Sequence, residues 1–137
     1  HSGRGLAMGD LDGDGDADIV FSNNVEPAAI VENQTKQTGN NIRVKLIGTQ
    51  TNRDAIGCSV TLHCSTGKLL RMTKGGASYL SQNDKQLHWA LPSDATIDHL
   101  SITWPNGYVQ EITNVPTDKP LVVIQPSPVT SVATTTQ

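Results

Sequence analysis

The nine residues Asp10-Leu11-Asp12-Gly13-Asp14-Gly15-Asp16-Ala17-Asp18 carry five carboxylates, and that density restricts the chain more than any other feature of it. Carboxylates crowded this closely repel one another and raise each other's pKa unless a cation sits among them. Acidic side chains fall at loop positions 1, 3, 5, 7 and 9, and the two glycines let the backbone curl inward. Calcium takes about six to eight oxygens at about 2.3–2.6 Å, so Ca2+ is the expected cofactor. Asp10, Asp12, Asp14 and Asp18 are the expected side-chain ligands. Asp16 is expected to offer its backbone carbonyl and to leave its carboxylate in solvent. Magnesium suits such a loop less well, because it keeps a strict octahedron and several waters. The loop is not that of an EF-hand, which needs Glu at position 12, where this chain has Phe21.

The acidity is local. The net charge is −3, yet outside the loop eight acids face ten bases. No basic patch interleaved with aromatics is present, which argues against a nucleic-acid partner. No run approaches the roughly 20 apolar residues of a membrane helix, which argues against membrane insertion. The chain begins at His1 without an initiator Met, as does a fragment or a chain that has lost an export leader. Asn33-Gln34-Thr35 is a candidate glycosylation sequon. Weak calcium sites fill where the ion is millimolar, so an extracellular, secreted location is expected.

Length and composition suit one all-β unit. A chain of 137 residues holds a single core of ordinary size, and Gly, Thr, Ser and Asn outnumber aromatics. Strands are predicted at residues 5–8 and 18–22, flanking the acidic loop, then at 28–32, 42–47, 58–64 and 69–73. Further strands are predicted at 86–91, 100–104, 108–112 and 121–124, with Pro105-Asn106-Gly107 as a hairpin turn. In 42–47, Ile42, Val44 and Leu46 share one face and Arg43 and Lys45 the other. Residues 49–56 read as a polar loop. The segment 121–124 is apolar on both faces, so it is expected to be covered. The fold class is an antiparallel β-sandwich or open, barrel-like domain with an N-terminal calcium-loop hairpin. Its divisions fall at 1–40, 41–125 and a Thr-rich tail, 126–137, which is either a frayed end or a strand exchanged with another copy.

Cys58 and Cys64 do not suit a mutual disulfide. Six residues of strand separate them by about 20 Å, against the roughly 7 Å that a bridge allows between Cα atoms. They are either buried thiols or candidates for interchain disulfides. His63, His88 and His99 carry no metal-ligand spacing, and Cys64 beside His63 is no catalytic dyad, because neighbouring strand residues face opposite sides.

Residues 6–33, with Met8-Gly9-Asp10 leading into the loop and Ile19-Val20-Phe21 after it, resemble one FG-GAP/VCBS repeat, a blade of calcium-binding β-propellers. Residues 41–113 resemble an ASPIC/UnbV-type domain through Asn52-Arg53-Asp54-Ala55-Ile56-Gly57, the stretch 76–84, Leu87-His88-Trp89-Ala90-Leu91 and Trp104-Pro105-Asn106-Gly107. The resemblance implies an extracellular module without established catalytic activity and calcium ligands at Asp10, Asp12, Asp14 and Asp18. A lone blade cannot close a propeller, since repeats bury their faces against neighbours. It must therefore pack on the following domain or on another molecule.

The leading functional expectation is a secreted, calcium-rigidified structural or adhesion module that is not an enzyme. It would associate with copies of itself through β edges or the tail into a filament. A carbohydrate- or matrix-binding module is the alternative, with Tyr79, Trp89, Trp104 and Tyr108 as stacking candidates, although both Trp lie in alternating strands that favour a core role. A remote alternative resembles histidine-brace copper enzymes, with His1 as the ligand.

Overall fold

The computed structural model describes residues 3–36 and 38–127, and over them the chain is all β. Ten strands are described: β1 (Gly3–Gly9), β2 (Asp18–Asn23), β3 (Ala29–Val31), β4 (Asn40–Ile47), β5 (Ser59–Cys64), β6 (Gly67–Met72), β7 (Leu87–Leu91), β8 (Ile97–Thr103), β9 (Val109–Ile112) and β10 (Leu121–Ile124). Each overlaps a segment predicted as a strand. The tail expected as an exchanged strand, and His1, lie outside the described residues, except for 126 and 127.

The strands form three sheets in the orders β1-β2-β3, β10-β4-β7 and β6-β5-β8-β9. The second and third face each other as a sandwich, because the apolar residues of both alternate inward. Ile42, Val44 and Leu46 of β4, Leu87, Trp89 and Leu91 of β7 and Val123 of β10 meet Val60 and Leu62 of β5 and Leu100 and Ile102 of β8 in one buried cluster. Trp89 and Trp104 are core residues; their indole N–H groups donate to the Leu69 carbonyl and the Gln110 side chain.

Two details correct the sequence expectations. The pairing is not wholly antiparallel, because β10 runs parallel to β4, from Leu121 opposite Val44 to Ile124 opposite Ile47. Nor is 121–124 covered on both faces: Val123 is buried, but Val122 and Ile124 are 53% and 57% exposed, because they alternate onto the outer face of the sheet.

The N-terminal sheet is built differently. None of the buried core side chains comes from β1, β2 or β3, and Ile30 and Val31 of β3 lie exposed. A three-stranded sheet with no apolar core of its own depends on what holds its turn and on what it leans against. It leans on the segment before β7: Met8 donates its amide to Asn83 Oδ1 at 3.1 Å and accepts the Asp84 amide at 2.8 Å.

Cys58, just before β5, and Cys64, at its end, are both free thiols packed toward the core. Cys58 has no exposed surface. Burial pushes its pKa up to about 11. Cys64 is half-buried, and its Sγ lies 3.1 Å from Thr66 Oγ1 and 3.2 Å from the Gly67 carbonyl.

Candidate metal centre

The acidic loop is the turn of the β1–β2 hairpin, whose antiparallel register closes on Gly9 opposite Asp18. That pairing returns the last aspartate of the loop to the side of the first. Carboxylate oxygens of Asp10, Asp12 and Asp18 consequently lie within 4.8 Å of one another. Two oxygens on opposite sides of one calcium ion would stand about 4.6–5.2 Å apart, so this donor set fits around a single such ion.

Backbone amides hold the carboxylates in place. Asp10 accepts the Gly13 amide at 2.7 Å and the Gly15 amide at 3.1 Å. Asp12 accepts the Asp14 amide at 3.1 Å, and Asp14 accepts that of Asp16 at 3.0 Å. Asp18, which is buried, accepts the amides of Leu11 at 2.8 Å and Asn33 at 2.9 Å. The Asn33 and Leu11 amides hold the Asp18 carboxyl below its ordinary value of 3.8, against the opposing push of burial. Gly13 and Gly15 have φ of 84° and 98°, the left-handed region in which glycine carries no Cβ penalty.

The five aspartates are not equivalent. Asp14 is exposed and stands outside the convergent group of three. Asp16 departs from expectation, because both of its carboxylate oxygens are shielded from water rather than left in solvent. Asn33 of the sequon is half-buried, and its Oδ1 accepts the Thr35 amide at 3.2 Å.

The sandwich completes the surroundings of the loop. Arg43 of β4 reaches Asp10 Oδ2 at 3.7 Å, and Asn41 Nδ2 donates to the Gly15 carbonyl at 3.4 Å. Opposite Arg43 across the β4–β7 pair stands His88, half-buried beside the same loop. Burial lowers the His88 pKa from 6.5 and Arg43 adds to this, while Asp84, Asp10 and the Gly15 carbonyl pull the other way. Sequence reasoning missed Arg43, Asn41 and His88. Alternation put Arg43 on the outer face of its strand, but nothing local names what covers that face.

Other candidates separate under the same geometry. His63 and Cys64 do face opposite sides of β5: the thiol lies toward the core, and the His63 ring stacks on His99. With both Trp buried, Tyr79 and Tyr108 are the exposed rings of the stacking set. No helix among the described residues is long and apolar enough to cross a membrane.

The geometry agrees with comparisons to known proteins. The family model for ASPIC and UnbV matches residues 48–130, and that for the FG-GAP repeat matches residues 2–40. Cartilage acidic protein 1 of Xenopus tropicalis is 31% identical over 111 residues, covering 78% of this chain and 17% of that protein. The proteins of the same name from Mus musculus and Homo sapiens are each 29% identical over 109 residues, covering 77% of this chain and 17% and 16% of theirs. The chain thus spans well under two thirds of the length of these relatives. Most of β4 falls between the two matched segments, yet it supplies Arg43 and Asn41, two of the side chains with which the sandwich holds the loop.

Proposed function

The chain belongs to the ASPIC and UnbV family, and on that footing we propose that it is a secreted, non-catalytic structural module whose single FG-GAP repeat is braced by one calcium ion. The observation that carries this reading is the convergence of Asp10, Asp12 and Asp18 within 4.8 Å of one another. Those three would hold the ion, with Asp14 and Asp16 available from the same loop. Calcium would supply the positive charge that lets the turn close without self-repulsion. The brace matters because, among the described residues, the repeat contributes none to the buried apolar cluster. A secreted location is supported by the name of the relatives, cartilage acidic protein, and by the millimolar calcium found outside cells.

The test compares calcium-saturated and chelator-treated protein by thermal melting and amide hydrogen exchange. Calcium at a hundred times its Kd stabilises by about 2.7 kcal/mol. The melting temperature should rise, and the amides of β1, β2 and β3 should slow more than those of β4 and β5. Identical melting and exchange under both conditions would overturn the reading.

The partner in this reading is another copy of the chain. Support comes from two sheet edges with apolar side chains in solvent: β3 with Ile30 and Val31, and β10 with Val122 and Ile124. Unpaired edges are templates for strand addition, and a heterologous contact of that kind generates a ring or filament. Electron microscopy and sedimentation of the chain with and without residues 126–137 test it. Equal assembly by the truncated chain would exclude the tail as the exchanged strand. A glycan- or matrix-binding role has weaker support, resting on Tyr79 and Tyr108 alone.

A further inference from the structure

We propose that His63 and His99, positioned by Asp98, form a second metal site that takes a borderline divalent ion such as Zn2+, Ni2+ or Cu2+. The two histidines are directly opposed across the β5–β8 pair. Their rings stack with centroids 4.0 Å apart and planes inclined by 16°. The register shifts between His63 and Cys64, which pair with His99 and Ile97, so Asp98 is the extra residue of a bulge. The bulge brings the Asp98 carboxylate to the histidine side, where Oδ2 lies 3.0 Å from His99 Nδ1.

That contact is the arrangement in which a carboxylate fixes a metal-binding imidazole. With Nδ1–H donating to Asp98, the His99 lone pair resides on Nε2, free to ligate. Tetrahedral coordination at about 2.0–2.1 Å sets two nitrogens about 3.4 Å apart. The rings are close enough to share an ion, but in the near-parallel stack their in-plane lone pairs run side by side, so binding requires both rings to turn out of the stack until the two nitrogens face one point. Two imidazole nitrogens select Zn2+, Ni2+ or Cu2+, whereas the all-oxygen loop at residues 10–18 selects calcium, so the two sites do not compete for one ion. Neither ring is buried; the His99 side chain is 24% exposed, and water can complete the coordination sphere. Lys68 stands opposite His63 on β6, Thr61 and Ser101 are the next pair along the same face, and Glu111 of β9 stands opposite Ser101.

The experiment titrates the full chain, saturated with calcium, with Zn2+ by calorimetry at neutral pH, and with Cu2+ by electron paramagnetic resonance. One equivalent of Zn2+ should bind, with nitrogen couplings in the copper spectrum. His63→Asn and His99→Asn should each weaken binding at least tenfold, while His1→Gln and Cys64→Ser should leave it unchanged. Asp98→Asn should weaken it by about ten- to a hundredfold and shift the His99 ring-nitrogen resonances, which report the tautomer. Retained folding of each variant is checked by its calcium-dependent melting. Undiminished Zn2+ binding in the His63→Asn, His99→Asn double variant, or no binding by the parent chain, would overturn the proposal.

Discussion

The guanidinium of Arg43 stands 3.7 Å from the carboxylate of Asp10, joining the middle of the sandwich's β4 to the first residue of the acidic turn. Both side chains are largely shielded, so removing either one leaves the other's charge poorly compensated away from water. Arg43 offsets part of the loop's negative charge, and it would also repel a divalent ion held by the same carboxylates. Arg43→Met should therefore lower the melting temperature in chelator and enlarge the further rise that calcium produces. Scanning fluorimetry in both conditions measures the two shifts; equal losses in both would mean that Arg43 serves packing alone.

Gly13 and Gly15 separate backbone strain from contact. Both have positive φ, which costs an alanine about 1–2 kcal/mol. A Cβ on Gly13 meets nothing within 4 Å, whereas one on Gly15 would sit 2.8 Å from Arg43 Nη1. Gly15→Ala should destabilise more than Gly13→Ala, and Arg43→Met should narrow the gap. Denaturant unfolding of the single and double variants supplies the comparison.

Gln125, 1% exposed, ties the polar loop after β4 to the end of β10. Its Oε1 accepts the amides of Thr49 at 3.2 Å and Gln50 at 3.0 Å, and the Thr51 hydroxyl at 3.1 Å. Gln125→Ala strands three donors, and at about 1 kcal/mol each the loss should be about 2–4 kcal/mol. Urea unfolding measures it.

Acid should act in two stages in the presence of chelator. Burial depresses His88 below 6.5 in the folded chain, so its contribution is complete above pH 6.5 and is lost as pH falls toward its folded pKa. The Asp18 carboxyl is depressed below 3.8, so its contribution persists above 3.8 and is lost as pH falls through its folded pKa. His88→Gln should remove the first decline and Asp18→Asn the second, as read from unfolding free energy against pH.

Cys58 should resist thiol reagents in the folded protein. With a pKa of about 11, roughly one thiol in a thousand is ionised at pH 8, and the group has no exposed surface. Cys64 should react first, and Cys58 only at the rate of unfolding. Mass spectrometry of alkylated peptides distinguishes the two.

The strands were legible because alternation is a local property: Ile42, Val44 and Leu46 face inward as their spacing predicts. The acidic turn was legible for the same reason, since nine consecutive residues carry its charge and its glycines. Which face of a sheet has a covering layer was not local, so 121–124 read as covered although Val122 and Ile124 face outward. The inward turn of the Asp16 carboxylate was equally hidden, because Asp16 shares a cavity with Asn33, Thr35 and Asn41 from outside the loop.

By itself, then, the sequence determined where the strands run and where negative charge must gather, since both depend on residues a few positions apart. Tertiary structure decided what meets across the chain: Arg43 with Asp10, Gln125 with Thr49, and His63 with His99. The last pair lies 36 positions apart, and strand register alone brings the rings together. Register is set by how two whole faces bury their apolar residues, a sum over both sheets that no short window of sequence contains.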